Sequence, residues 1–363
     1  MDPRVRVGAA IAATVLLFLG VMFGALALVE PFDAADYQAV EDPENPLYSA
    51  LFLLAILLAT GVMLVAIKLD ARWVIQSLVV AASALLGWLV LAAIVPPLVS
   101  VGGVNPLPLV GALAIAAGLV WYPEWWVVDA AGVLMGAGAA GLLGISLGIL
   151  PVLVFLIALA VYDAISVYRT GHMLTLAEGV MDLNLPVVLV VPTTRSFSLR
   201  RDATDGTEPG PGDALGSSPV DGTEGDPETE LPTEASTVEN HTPAEERRGV
   251  KNGTGPDGSH VEAAPTDRGA LFIGLGDAVM PAILVASATA FVDAPIVSAP
   301  VVSPTIPAVG AIVGTVLGLL VLMALVLRGR AHAGLPMLNG GAIAGYLVGG
   351  LASGIGLTAA IGL

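Results

Sequence analysis

The sequence predicts an all-α polytopic membrane protein with nine transmembrane helices, its N-terminus cytoplasmic and its C-terminus extracellular. Three observations carry that prediction. First, 56% of the 363 residues are hydrophobic and only 12% are charged, roughly half the charged share of an ordinary soluble domain. Second, the apolar residues fall in stretches near the ~20 residues a spanning helix needs. Third, the basic residues collect on one side of the spans those stretches define.

The nine candidate spans lie near 7–29, 49–69, 74–95, 107–121, 126–143, 145–167, 269–291, 307–327 and 336–360. The fourth and fifth are short, and the boundary between fifth and sixth falls in a Gly-rich run. Arg4 and Arg6 precede the first span, and Ala25-Leu26-Ala27 resembles a leader-peptidase site. The apolar run there exceeds the 7–15 residues of a secretory h-region, so the segment is expected to stay as a span.

With the N-terminus inside, the inner segments contain Arg4, Arg6, Lys68, Arg72, Arg169, Arg195, Arg200, Arg201, Arg247, Arg248, Lys251, Arg268, Arg328 and Arg330, which are all 14 basic residues. The outer loops carry Glu30, Asp33, Asp36, Glu41, Asp42, Glu44 and Asp293 instead. A miscounted span would mix the two sets, so the clean partition supports an odd number. Four blocks follow: helices 1–5 over 1–144, a sixth helix with an amphipathic helix and a short strand over 145–192, a polar loop over 193–268, and helices 7–9 over 269–363.

Within the second block, residues 172–185 set Met173, Leu176, Val180, Met181 and Leu183 beside Glu178 and Asp182, which suits a helix lying along the membrane surface. The β-branched run at 187–191, bounded by Pro186 and Pro192, reads as a strand. Residues 193–268 are rich in Gly, Pro, Ser, Thr, Asp and Glu, cannot bury a core, and are expected to be disordered. Asn240-His241-Thr242 and Asn252-Gly253-Thr254 match a glycosylation pattern, but on the inner side they read as chance.

Composition also excludes functions. The absence of cysteine removes disulfides, thiolate nucleophiles and Cys-based metal sites. His172, His241, His260 and His332 form no metal-binding pair, so neither metal nor cofactor is expected. The net charge of −17 argues against nucleic acid as a partner. Lys68 and Lys251 are the only lysines. An acid-rich, lysine-poor polar surface suits a high-salt cytoplasm, where screening relieves self-repulsion, and points to a halophilic archaeon.

Ionisable groups within spans are expensive and by default mark function. Asp163 and Asp277 sit well inside. Asp163 lies six residues before Arg169, about 9 Å along a helix, and Asp277 lies nine residues after Arg268, about 13 Å. They come from consecutive, oppositely directed spans at similar depth, so they can face each other. Facing carboxyl groups do not both ionise easily, and one keeps its proton. The ionised member can take a proton from water attacking a peptide carbonyl, while the protonated one donates to the carbonyl oxygen. Gly274 and Gly276 flank Leu275 ahead of Asp277 and permit close approach. Pro281 removes the helical partner of the Asp277 carbonyl and is expected to loosen the helix. Tyr162 adjoins Asp163 but faces about 100° away on a helix. Asp129, near Trp121, Trp125 and Trp126, reads as a helix cap or a headgroup contact.

These residues resemble a known family. Tyr162-Asp163 on one span and Gly274-Leu275-Gly276-Asp277 on the next are similar to the YD and GLGD motifs of the presenilin and signal peptide peptidase family. The PAL motif of that family is matched by Pro336-Met337-Leu338, followed by Asn339 and Gly340, with Met337 in place of alanine. By motif the resemblance covers 145–363, and by span count 1–144; the combination is similar to archaeal homologues of the family. It implies an intramembrane aspartyl endopeptidase in the cell membrane with Asp163 and Asp277 as the catalytic pair. Tyr162, Gly274, Leu275, Gly276, Pro336, Met337 and Leu338 would border the substrate, a transmembrane protein or peptide in the lipid bilayer. The strand at 187–191 would pair with unwound substrate. No apolar plug stands in 193–268, so activity without self-cleavage is expected, and a homo-oligomer is compatible with the sequence. The alternative is a multi-pass transporter or channel using the aspartates as proton or cation sites.

Overall fold

The computed structural model describes residues 3–40, 42–69, 71–97, 105–166, 188–192, 270–327 and 333–363. The surface helix expected over 172–185, the polar loop 193–268, the four histidines and most of the basic residues behind the charge partition lie outside the described residues. The helices are α1 (Pro3–Ala34), α2 (Leu47–Lys68), α3 (Arg72–Ile94), α4 (Leu107–Trp121), α5 (Trp125–Ser146), α6 (Ile149–Ile165), α7 (Leu275–Phe291), α8 (Ile306–Val326), α9 (Gly334–Ala352) and a final turn, α10 (Leu357–Ala360). Two strands, β1 (Val188–Pro192) and β2 (Ala270–Gly274), stand between α6 and α7. Among the described residues, α1, α2, α3, α5, α8 and α9 are long and apolar enough to cross a membrane, and α4, α6 and α7 are shorter apolar helices.

Three boundaries differ from the sequence reading. Residues 270–274, expected to open the seventh span, form β2 and pair antiparallel with β1, from Val188 opposite Gly274 to Pro192 opposite Ala270. The sheet ends where Gly274 becomes the N-cap of α7, so α7 keeps 17 residues, about 26 Å of rise. The last span stops at Ala352, because Gly354 adopts φ +81°, a left-handed turn. Tyr346 then holds the returning chain by donating its hydroxyl to the Ala360 carbonyl at 2.7 Å. The α5–α6 boundary lies at Leu147–Gly148 rather than at 144. There the Gly148 N–H donates to the Pro43 carbonyl at 2.7 Å, and the Ala39 N–H donates to Ser146 Oγ at 2.9 Å.

The Gly-rich run of α5 is therefore helix, and its glycines are a packing face. A Cβ on Gly136 would lie 3.1 Å from both Leu275 and Val279 of α7, and one on Gly141 would lie 3.1 Å from Leu28 of α1. α7 is the central helix, and residues 281–288 are buried all round. That is the pattern of a helix enclosed on every side; α1, α5, α6, α8 and α9 pack around it. Pro281 does not end α7, which continues through it to Phe291. By contrast, only 11% of the apolar window of α2 is buried, against 61% of that of α5, so α2 presents most of its surface to the surroundings.

The closest pairing is α8 with α9. Gly310, Gly314 and Gly318 of one face Gly345, Gly341 and Met337 of the other, and an added Cβ at any of these glycines would run into opposing backbone. Small residues at four-residue spacing allow this approach, and without a hydrophobic drive between helices in lipid such contact is the main attraction. Replacing Gly345 with Val should thus destabilise the fold by about 1–3 kcal/mol, the usual range for overpacking, read as a lower unfolding midpoint in detergent. Gly61→Ala, at a site with nothing within 4 Å, should leave the midpoint unchanged or raise it slightly.

Candidate active site

Asp163 lies at the C-terminal end of α6 and is 4% exposed. Asp277 lies in the first turn of α7 and is partly buried. Because β2 occupies 270–274, Asp277 follows a strand and only two helical residues, Leu275 and Gly276, not the continuous helix that its distance from Arg268 suggested. What joins the two carboxyl groups is the start of α9. The Leu335 N–H donates to Asp163 Oδ2 at 3.1 Å. Gly334, the preceding residue, faces the other aspartate: a Cβ there would lie 3.3 Å from Asp277 Oδ2 and 3.5 Å from Oδ1.

Elementary helix chemistry explains this placement. The first N–H groups of a helix have no partner within it. α9 opens on Gly334 after the N-cap Ala333, and no side chain of its own caps it. Pro336 has no N–H to satisfy, and the Leu335 N–H is satisfied by Asp163 from another helix. The positive end of the α9 dipole thus points between two carboxyl groups, where it offsets their mutual repulsion. Asp277 also sits at the N-terminal end of its own helix, with the Cα of Gly274 close by: a Cβ there would lie 3.5 Å from Asp277 Oδ2.

The remaining predicted residues divide around this centre. Leu275 and Leu338 are buried, at 5% and 0% exposure, and Pro336 is half-buried. Gly274 and Gly276 are exposed, and nothing lies within 4 Å of a Cβ on Gly276. Tyr162 and Met337 are each 37% exposed; Tyr162 points away from the carboxyl groups, as a residue one step along a helix from buried Asp163 must. Asn339 anchors the arrangement by donating Nδ2 to the Leu156 carbonyl of α6 at 3.0 Å, and its Oδ1 is buried with no partner among the described residues.

Asp129 departs from both roles read for it. Glu124 is the N-cap of α5, and Asp129 is only 7% exposed, so it meets no headgroup. Its Oδ1 accepts the Val190 N–H of β1 at 2.7 Å. That bond fixes the orientation of the strand. Alternate residues of an antiparallel strand turn their backbone groups to opposite sides, so Val190 faces α5 while Leu189 and Val191 face β2. Pro192, two residues on, has no N–H to offer a further strand. On β2 the outward residues are Ala270, Phe272 and Gly274. Among the described residues these show no hydrogen-bond partner beyond the sheet and the α7 turn that Gly274 caps. The free edge among the described residues therefore belongs to β2, which leads directly into the first turn of α7 that carries Asp277. The strand expected at 187–191 is β1, Val188–Pro192, the partner of β2 in this sheet.

Three features escaped the sequence reading: Gly334–Leu335, β2 and the Asp129 contact. The first had a signal, since Gly334 and Leu335 directly precede Pro336. The other two depend on pairing across more than 60 residues.

The sequence model of the family described as signal-peptide peptidase, presenilin aspartyl protease matches residues 15–355. The chain belongs to this family. It is an aspartyl protease by that membership. Among solved structures, one of a presenilin family intramembrane aspartate protease in a C222 space group is 30% identical, covering 94% of this chain and 99% of that one, with a TM-score of 0.57. A second, of a presenilin family intramembrane aspartate protease in a P2 space group, is 31% identical, covering 94% and 97%, with a TM-score of 0.55. No curated protein sequence matches.

Gly334 offers a test of the centre. In Gly334→Ala the new methyl meets the Asp277 carboxyl at 3.3 Å, tighter than nine in ten real contacts. The carboxyl group must move by a few tenths of an ångström. Since a misplacement of 1 Å can cost a protease about 10²-fold, kcat/KM should fall about tenfold with the unfolding midpoint unchanged.

Proposed function

We propose that the protease hydrolyses peptide bonds within or near transmembrane helices of membrane-protein substrates, with Asp163 and Asp277 as its catalytic dyad. The observation that carries this is the convergence of both carboxyl groups on Gly334–Leu335, at the ends of three helices. Asp163 is held by the Leu335 N–H, so one of its oxygens is fixed and the other remains for chemistry. Among the described residues no hydrogen bond fixes the Asp277 carboxyl group, which is framed by Gly274 and Gly334. Two carboxyl groups so placed share one proton and titrate as a unit. The ionised member accepts a proton from water as it attacks the scissile carbonyl. The protonated member donates to the carbonyl oxygen, giving a tetrahedral diol. Collapse of the diol returns a proton to the leaving amine and releases the two products, with no metal or cofactor in the scheme.

A helical substrate hides its peptide bonds, so a turn must unwind before attack, and every freed N–H and C=O then needs a partner. The outward edge of β2 supplies them by strand addition. Gly274 and Gly276 leave room for a second backbone between that edge and Asp277. Pro336, Met337 and Leu338 form the opposite wall, and Tyr162 stands at the lipid-facing margin of Asp163. The same reading includes nine spans in the cell membrane with the N-terminus cytoplasmic, which places the dyad toward the cytoplasmic half. Substrates would be single-span membrane proteins, cut without prior cleavage of 193–268, and a homo-oligomer is compatible with this scheme.

The test is cleavage of a purified single-span substrate in detergent or liposomes. Asp163→Asn and Asp277→Asn should each lower the rate by at least about 10³-fold, as expected when one member of a jointly acting pair is removed. Both variants should keep the wild-type unfolding midpoint within a few degrees. Cleavage persisting in either variant would remove the dyad, and ion flux through liposomes without cleavage would favour transport.

A further inference from the structure

The third buried aspartate takes no part in the chemistry above. Asp129 lies on α5, and its Oδ1 accepts the Val190 N–H of β1 at 2.7 Å. Its neighbours on α5, Val128 and Ala131, form an apolar cluster with Leu119 of α4, Val190 of β1 and Ala270 of β2. A carboxylate placed in such surroundings is expensive unless it does something an apolar residue could not. Here it satisfies a backbone donor on the side of β1 that faces away from β2. An apolar residue at 129 would avoid the cost of burying a carboxyl group, yet it would leave that N–H unpaired.

The bond has a consequence for β2. β1 is buried on α5, with Leu189, Val190 and Val191 each 3% exposed or less. β2 pairs with it residue for residue from Gly274 to Ala270. β2 thus takes its position from β1, and β1 is pinned by Asp129. Because side chains and backbone groups alternate along a strand, a slip of one residue would turn the outward set of β2 toward β1. It would also displace Gly274, the cap of α7, three residues from Asp277.

We propose that Asp129 is a positioning residue: it clamps β1 to α5 through the Val190 amide, closes that edge to strand addition, and so holds the β2 edge in the register that presents the scissile bond to Asp163 and Asp277. The proposal rests on the protease reading and on strand addition at β2. If the clamp is lost, ordering of the sheet is charged to substrate binding, and the freed β1 edge offers a competing register.

The experiment compares Asp129→Leu, Asp129→Asn and wild type, using the purified full-length chain and a single-span substrate, with Asp277→Asn as the inactive control. In Asp129→Leu, KM should rise about tenfold or more, kcat should stay within about threefold, and mass spectrometry of the products should show cuts at additional neighbouring bonds. Asp129→Asn keeps an acceptor oxygen and should restore KM to within about threefold and a single cut position. Without substrate, amide exchange over residues 188–192 should quicken about tenfold or more in Asp129→Leu and little in Asp129→Asn. An unchanged KM and cut pattern in folded Asp129→Leu would overturn the proposal. So would a fall in kcat alone, or an Asp129→Asn variant as defective as Asp129→Leu. If Asp129→Leu does not fold, Asp129→Glu replaces it. By displacing the acceptor one methylene it should give an intermediate KM and a mixed cut pattern, and wild-type behaviour there would overturn the clamp. If wild type itself fails to cleave, the protease reading fails, and the exchange rates over 188–192 still decide whether Asp129 holds β1.

Discussion

The bond from the Leu335 N–H to Asp163 is the constraint on which the rest of the structure depends. In a medium without water, an uncapped helix start and a carboxyl group are each costly alone. Each supplies what the other lacks. Satisfying both requires the first turn of α9 to reach the last turn of α6, although the two lie 172 residues apart in the chain. With α9 fixed there, Gly334 comes beside Asp277, and the second carboxyl group is brought in by the same contact.

Much of the surrounding architecture can be understood as what keeps that helix start in place. The interlocked glycines of α8 and α9 let one helix serve as a rigid backing for the other, because backbone lies directly on backbone. Asn339 ties α9 to α6 one turn beyond the site, at the Leu156 carbonyl. α7, buried on all sides through 281–288, fixes Asp277 from behind. Thr305 binds the Ala288 carbonyl and Ser287 binds the Leu147 carbonyl, so the far end of α7 is held by hydrogen bonds as well as packing. The two ends of α7 differ in kind. The far end is closed by side-chain bonds, while the near end opens through Gly274 and Gly276 toward the free strand edge.

The sequence made the spans and the aspartates legible because their signals are local. A run of about 20 apolar residues or a lone acid within one can be recognised without knowing its partners. The nearby motif residues were legible for the same reason, as was the strand expected at 187–191, which is described from Val188 and includes Pro192. The errors came where pairing overrides local pattern. Ala270 to Gly274 are apolar and adjoin a helix, so they read as its first turn and a half, until β1 claims their backbone. The glycines of α5 read as a break because glycine weakens helices, yet Gly136, Gly141 and Gly144 mark places where α1 or α7 comes close, and Gly138 one where α3 does. Asp129 read as a helix cap or headgroup contact because three tryptophans stand near it, but the strand whose amide it accepts comes about 60 residues later.

Comparing the three aspartates shows why burial alone does not identify a catalytic group. Asp129 and Asp163 are both nearly inaccessible, and each accepts one backbone N–H from an element far along the chain. By that measure they are equivalent. They differ in what lies beyond the bond. Asp129 is 7% exposed and accepts the Val190 N–H of buried β1, so its hydrogen bond ends at a strand. Asp163 has a second carboxyl group across the start of α9, beside exposed glycines and a free strand edge. The reactive centre is therefore defined by the meeting of two acids at an accessible place. A lone buried acid with its donor satisfied is better suited to holding structure than to moving protons.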